Sequence, residues 1–388
     1  MEYTKCNMVN LNVKNFKTQS LDELFRLLDN QVYFVGGTVR DALLGNVICD
    51  IDMATPFSPS QVILRLKESS IRVIPTGIEH GTLTLILTDG VTIELTSFRS
   101  DVKTDGRHAQ VSFGSKIQED ALRRDFTINA LYMDNNGDVF DFVGGLKDVR
   151  KKRLRFIGDA KKRISEDALR ILRFFRFCAK MSIKMPDKSA LKACKQTRSL
   201  LDVLSKERVR EEFLKILSVE NPYPTLKLMD SCSVLRQIFG KYDLAEIRRL
   251  CQHERRSGFY TNPLFRLWVL CGKKLPDWKF SRLQKQQEKL FKKAFDFPLK
   301  NRSDEYRILY YCGKDVFLYT VLYKKRLCFM AMRFYQALKK PELPFNSQDV
   351  SSFFDVKNIK LGEKMTLCEE KWLELECPDK KELVFKCF

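Results

Sequence analysis

The sequence predicts an α/β head followed by an all-α extension, and three observations point there. Short β-rich runs alternate with helical ones from Gln31 to about Val143, strand signals fade after Gly158, and long amphipathic helical patterns take over from there. At 388 residues, 44% of them hydrophobic, the chain exceeds what one core supports, so more than one packed unit is expected.

In the head the strand-like runs are QVYFVGG, IRVIPTG, GTLTLILTDG, VTIELTSF and DVFDFVGG, and the helical ones are TVRDALLG, PSQVILRLKE and EDALRRDFTINALYM. Beyond it the spacing predicts helices over 160–181, SKERVREEFLKILS, 223–240 and the Lys- and aromatic-rich stretches after 257. Boundaries fall near 150, 210 and 300.

Formal charge narrows the partner. The chain carries a net +20, concentrated in 272–340, where 18 Lys and Arg face 6 Asp and Glu. Residues 341–388 instead carry 7 against 10. A concentrated excess of this kind suits a polyanionic backbone, with lysines such as Lys292 and Lys293 as candidate contacts. No run of eighteen apolar residues occurs and the first residues lack an apolar signal core, so neither a membrane span nor a leader is expected. Twelve cysteines are scattered singly without a CxxC pair, which reads as reduced thiols in a cytoplasmic setting. His80, His108 and His253 lack triad companions.

Chemistry-bearing residues cluster in four places. Gly36 and Gly37 sit between a strand and a helix, where backbone amides can approach phosphate oxygens. Asp50-Ile51-Asp52 returns a dozen residues later; if it is a strand, both carboxylates share a face and can bind one cation or a pair, although a DxD alone also serves as a solvated strand end. Glu94 lies opposite the apolar Val91, Ile93 and Leu95, either as a third carboxylate for the same metals or as an exposed strand acid. Arg123, Arg124 and Asp125 are read inside a helix with Phe126, Ile128 and Leu131; paired arginines suit triphosphate or RNA backbone, or a salt-bridged helix surface. In ISEDALRILRFFRF, read as one helix, Ala168, Ile171, Leu172 and Phe175 form a core face, and Glu166, Asp167, Arg170 and Arg173 a comb of carboxylates and guanidiniums. Such a comb can meet the Watson–Crick edge of a base, or close on itself as an i, i+4 ion pair between Glu166 and Arg170.

Taken in order, these residues resemble the class II tRNA nucleotidyltransferases and bacterial-type poly(A) polymerases of the DNA polymerase β superfamily. GGTVRD with DID is similar to the metal-binding motif of that family. RRDFTINA, DFVGG with RLRFIGDA, and EDALRILRFFRF resemble its next three motifs. PTGIEHGTLT and TSFRSDVKTDGRHAQV resemble the flexible-loop region of CCA-adding members, with Asp105 and Arg107 at its centre. The resemblance is strong over 31–178, weaker over SKERVREEFLKIL and faint over 341–365, where several of the family's usual glycines are missing.

The resemblance implies a seahorse-like arrangement: a nucleotidyltransferase head (1–150), a neck with the nucleotide-selecting helix (151–210), a helical body (211–300) and a tRNA-binding tail (301–388). It implies that Asp50 and Asp52 hold Mg²⁺ with Glu94 as a third acid. Gly36, Gly37, Arg40 and Arg124 would hold the triphosphate, and Glu166, Asp167, Arg170, Arg173 and Arg176 would form or brace the pocket that selects the nucleotide. The activity it implies is addition of C, C and A to the 3′ end of tRNA from CTP and ATP, without a nucleic-acid template. Poly(A) or A-only addition shares nearly every residue, and a non-catalytic RNA-binding protein is the reading from another class.

Overall fold

The structure is a computed structural model that describes residues 18–48, 50–105, 108–114, 116–183 and 186–388; for 100–105 and 108–113 it gives the strand path alone. It divides into two units, 1–204 with 229–238, and 205–228 with 239–388.

The first unit is built on a seven-stranded mixed sheet. Its strands are β1 (Tyr33–Val35), β2 (Ile51–Thr55), β3 (Arg72–Gly77), β4 (Thr82–Ile86), β5 (Thr92–Ser97), β8 (Leu131–Met133) and β9 (Val139–Asp141), ordered β3-β4-β5-β2-β1-β8-β9. Only β2 and β5 run parallel, in register Asp52 with Glu94; the other neighbours are antiparallel. Two further strands, β6 (Arg99–Asp105) and β7 (His108–Phe113), form a separate hairpin from the segment read as a flexible loop. Asp105 closes β6, and Arg107 lies outside the described residues.

Helices α1 (Gln19–Leu27), α2 (Gly37–Leu43), α3 (Pro59–Leu66), α4 (Ile117–Arg123) and α5 (Gly145–Arg150) flank the sheet strands in sequence, followed by α6 (Ala160–Glu166), α7 (Arg170–Lys180) and α8 (Lys188–Thr197). Side-chain oxygens cap several N-termini, with Ser58 and Gln61 forming a reciprocal capping box on α3 and Asp159 opening α6.

Two helices read from the sequence are divided. EDALRRDFTINALYM is helical only to Arg123; Arg124 is extended (φ −65°, ψ 164°), Thr127–Asn129 make one 3₁₀ turn, and Leu131–Met133 become β8. Asp125 Oδ1 accepts from the amide of Phe126 at 2.8 Å, so a local side-chain bond replaces the helical ladder. Because Leu131, Tyr132 and Met133 are all fully buried, no alternation marks them as a strand. The 160–181 helix breaks at Asp167, which is extended (φ −150°, ψ 106°). Its carbonyl accepts from Arg170 N and its Oδ1 from Leu169 N, so Asp167 ends one helix and braces the start of the next.

The DFVGG turn explains itself structurally. Asp141 Oδ1 accepts from the amides of Val143, Gly144 and Gly145, and Oδ2 from Leu146. A Cβ on Gly145 would stand 2.2 Å from the carbonyl oxygen of Thr127, so only glycine fits there.

The second unit is helical throughout its described elements, from Lys206–Leu217 to Lys381–Phe385. One core gathers Phe265, Trp268, Phe291 and Tyr319; a second gathers Phe345, Val350, Cys368, Trp372, Leu373 and Val384. A buried ion pair sits in the first region, between Arg266 (1% exposed) and Glu254 (0%). All ten cysteines among the described residues are unbridged, six of them buried.

Candidate active site

The carboxylates meet through the sheet. Asp52 lies on β2 beside Glu94 on the parallel β5, so the two side chains emerge from the same face, while Asp50 stands exposed just before β2. Thr38, in the first turn of α2, locks this edge to the glycine turn: its Oγ1 accepts from the amide of Asp52 at 2.8 Å and lies 3.4 Å from the carbonyl oxygens of Asp50 and Asp52. The GG turn has φ +63° at Gly36, a conformation that favours glycine. A Cβ on Gly37 would sit 3.4 Å from Asp52 Oδ2 and 3.7 Å from Arg40 Nη2, and one on Gly36 would sit 3.5 Å from Arg124 Nη1. Glycine turn, acid and both arginines therefore share one corner of the first unit.

Burial first, then the charge of Glu94 with a further contribution from Asp50, pushes the Asp52 carboxyl up to about 6; Arg124 and Arg40 act against that rise without cancelling it. A group of hard oxygen donors with uncompensated negative charge fits a hard divalent cation. Asp50 and Asp52 are the carboxylates placed where they could hold one, and among the described residues no three Asp, Glu, His or Cys side chains are gathered closely enough to hold a metal by themselves. Water and substrate oxygens are left to complete such a sphere.

Both arginines are held by carboxylates. Arg124 donates from Nε and Nη2 to Asp120 Oδ2 (3.1 and 3.0 Å) and from Nε to the Tyr132 hydroxyl (2.9 Å). Burial opposes ionisation of Asp120, but Arg124 and Arg123 outweigh it and hold that carboxyl down at about 2. Arg40, 3% exposed, donates to Asp41 from Nε and Nη2 (both 2.9 Å) and to Asn129 Oδ1 (2.6 Å). Asn129 in turn donates to Asp125 (3.2 Å), and Arg173 Nε donates to Asp125 Oδ2 (2.7 Å). A continuous polar chain thus ties α2, beside the acids, to α7. Arg40, Arg173 and Arg176 all lie against the Phe177 ring.

On the other side of the break at Asp167, Glu166 Oε2 accepts from Arg163 and Arg170, each at 2.6 Å, and Arg170 also donates to the Arg163 carbonyl. The i, i+4 pair is present, and Arg163 continues it by donating to the Arg124 carbonyl at 2.7 Å. Sequence reading missed Thr38, Asp120, Asn129 and Arg163. Asp120 had a signal, because EDALRR places it three and four residues before two arginines; Thr38 and Asn129 had none outside the fold.

In the second unit the two lysines singled out from sequence are engaged locally. Lys292 pairs with Glu288 (2.9 Å) and Lys293 lies over the Tyr311 ring (4.0 Å). On the same helix, Arg282–Asp296, the exposed Arg282, Lys285 and Lys289 have no carboxylate partner among the described residues and are the better probes of a phosphate-facing surface.

Residues 32–155 match the Poly A polymerase head domain, and 186–244 match a probable RNA and SrmB-binding site of polymerase A. Over residues 32–155 the chain is thus similar to the head domain of poly(A) polymerases. Among curated proteins it is similar to the CCA-adding enzyme of Streptococcus pyogenes, 43% identical over 212 residues that cover 54% of this chain and 51% of the relative. It is also similar to the human mitochondrial CCA tRNA nucleotidyltransferase 1, 42% identical over 51% of this chain and 46% of the relative. These matches thus span about half the length of those relatives. Among solved structures, the CCA-adding enzyme of Bacillus stearothermophilus in complex with CTP superposes with a TM-score of 0.70 at 25% identity, over 94% of this chain and 96% of that one. The Thermotoga maritima CCA-adding enzyme complexed with tRNA shares the fold, with a TM-score of 0.68 at 20% identity over 98% of each chain. The α/β head with a helical remainder is the architecture of these enzymes. No helix among the described residues is long and apolar enough to cross a membrane.

Proposed function

We propose that this chain adds C, C and A to the 3′ end of tRNA from CTP and ATP, with the added nucleotides chosen by protein side chains and not by a template strand. The observation that carries the reading is the Asp50, Asp52 and Glu94 face set against the Gly36–Gly37 turn and Arg124, a corner where carboxylates and phosphate-binding groups meet. The similarity to CCA-adding enzymes over the head and the following helices supports it.

In this mechanism the RNA 3′-hydroxyl attacks the α-phosphate of the nucleotide in line; the new P–O bond forms as the bond to pyrophosphate breaks. Asp50 and Asp52 would hold Mg²⁺, which when bound would neutralise charge on the triphosphate and acidify the hydroxyl. The backbone of Gly36 and Gly37 lets phosphate oxygens close to the amide groups, and Arg124, fixed by Asp120 and Tyr132, presents a guanidinium edge beside them. Arg40, which the resemblance places on the triphosphate, is buried and engaged with Asp41 and Asn129, and acts here as a positioning residue: through Asn129 and Asp125 it is linked to Arg173 on α7. Asp167 accepts from the exocyclic amino group that cytosine and adenine share, and Arg170, held by Glu166, donates to a ring acceptor. Arg173 and Arg176 brace that pocket, and the Asp105 and Arg107 region serves the switch from C to A. The basic stretch 272–340 faces the tRNA backbone, and unbridged cysteines fit a cytoplasmic location.

The test is a tRNA lacking its last three nucleotides, incubated with each nucleoside triphosphate alone and with CTP and ATP together, followed by sequencing of the ends. CTP alone should add C residues, and the pair should yield CCA. Addition of A alone to an acceptor already ending in CC, or a run of A, assigns the chain to A-adding or poly(A) chemistry. Binding without extension leaves an RNA-binding protein.

A further inference from the structure

Behind α5 the chain makes a basic pocket that the mechanism above does not use. A cavity of about 550 Å³ is lined by Lys151, Lys152, Arg153, Pro186, Asp187, Lys188 and Ser189. Four cations and one carboxylate line it, and the carboxylate is fully committed elsewhere. Asp187 Oδ1 accepts from the amides of Ser189 and Ala190 (3.0 and 3.1 Å) and from the Ser189 hydroxyl, while Oδ2 accepts from Arg153 Nη2 (2.8 Å). Those bonds outweigh burial and hold its carboxyl down at about 2, so it is a fixed anion spent on building the wall. The Arg153–Asp187 pair joins the segment after α5 to the start of α8, and so shapes the cavity.

Lys151, Lys152 and Lys188 remain. All three are exposed, and none has a carboxylate partner among the described residues. Three lysines lining one cavity put positive charge on the same surface, which an anion bound there offsets. Among the described lining residues there is no aromatic ring to stack on and no side-chain amide to pair with, and Arg153 and Ser189 are engaged with Asp187, so what the lining offers a ligand is charge. The cavity also unites the end of the segment matched as polymerase head, 32–155, with the first residues of the segment matched as probable RNA-binding site, 186–244.

We infer that this pocket is a second anion site, in which Lys151, Lys152 and Lys188 hold one backbone phosphate of the bound RNA. It rests on the RNA-extending function proposed above and assigns that function a contact outside the carboxylate corner. An RNA diester and a free triphosphate offer the same phosphate oxygens, and the indifferent lining favours the diester.

The test uses the full chain, a fluorescently labelled tRNA lacking its 3′ nucleotides, and CTP as the free-phosphate arm. The variant K151Q/K152Q/K188Q removes the charges and keeps a polar side chain one bond shorter. RNA affinity is measured between about 50 and 300 mM KCl; the slope of log affinity against log salt should become shallower by about 1, the loss of one phosphate contact, with affinity about five- to tenfold weaker at 100 mM. CTP affinity and the thermal midpoint should match the parent, and K151R/K152R/K188R should retain the parent slope. An unchanged slope overturns the inference, as does a loss of CTP affinity in place of RNA affinity. Should the triple variant melt early, Lys188→Gln alone gives the same decision from about a third of the slope change. If the parent binds this RNA with the larger slope yet never extends it, the extension chemistry fails and the phosphate site stands.

Discussion

Two carboxylates, one in each unit, are withdrawn from water and treated in opposite ways. Glu254 in the second unit is completely buried, yet every demand it makes is met. Arg266 pairs with both its oxygens (3.0 and 2.8 Å), the amide and hydroxyl of Thr261 donate to Oε1 (3.0 and 2.6 Å), and Arg266 spends its remaining protons on the carbonyls of Leu217, Val219 and Glu220. Asp52 in the first unit is set beside two more carboxylates, and its pKa rises to about 6. A buried charge that is satisfied internally fixes a fold. One left against its own kind costs stability and keeps a place for a cation from outside.

The largest expected effect separates these roles. Asp50→Ala should lower nucleotide incorporation at least about a thousandfold, ~4 kcal/mol of transition-state stabilisation, while leaving the thermal midpoint and tRNA affinity near those of the parent. Turnover above a tenth of the parent, from a folded variant, would remove the metal assignment. Glu254→Ala should do the reverse. It strands the Arg266 guanidinium without its anion and should cost about 3 kcal/mol or more of unfolding free energy in chemical denaturation. A loss below about 1 kcal/mol would mean that Arg266 is held by the backbone carbonyls alone.

A smaller effect concerns α7 and the break before it. Asp167→Ala should relax discrimination against UTP and GTP by roughly ten- to a hundredfold, because a base whose polar edge is left unpaired costs about 1–3 kcal/mol against this pocket. Competition assays with mixed nucleotides read it directly. Unaltered rejection of UTP and GTP would move selection away from Asp167. Since Asp167 also accepts from the amide of Leu169, Asp167→Asn is the companion that keeps this bond and changes only what the base meets.

Much of the first unit was legible. The strands β4 and β5 alternate between buried and more exposed positions, and Asp52 was visible in the Asp-Ile-Asp spacing and Glu94 as an acid opposite an apolar face. Their register was not, because a parallel pair joined across two intervening strands leaves no local trace in the chain. The helix misread through Arg124 shows the other limit. Phe126, Ile128 and Leu131 have helical spacing, but Asp125 and Asn129 take up backbone and side-chain partners that only the fold supplies, and β8 is buried on both faces. At Asp167 the sequence did hold a clue, since an Asp before an apolar run is as much a cap as a member of a helix. In the second unit, net charge pointed to a surface but not to particular lysines, because pairing with Glu288 or Tyr311 is decided by packing.

The opposition between stability and function at Asp52 is the central claim, and Asp52→Asn tests it with a small stability change and a large kinetic one. Its folded pKa, about 6, lies above the ordinary 3.8, so the native state binds the proton more tightly than the unfolded chain. That contribution is fully present below about pH 4 and is lost as pH rises through 6 in metal-free protein. The substitution removes the loss. At pH 7 in chelator, Asp52→Asn should be as stable as the parent or more so, by about 1 kcal/mol, with a flat dependence between pH 4 and 7, while incorporation with Mg²⁺ falls at least about a hundredfold. A variant that unfolds more readily than the parent at pH 7, or that keeps more than about a tenth of its turnover, would contradict the account.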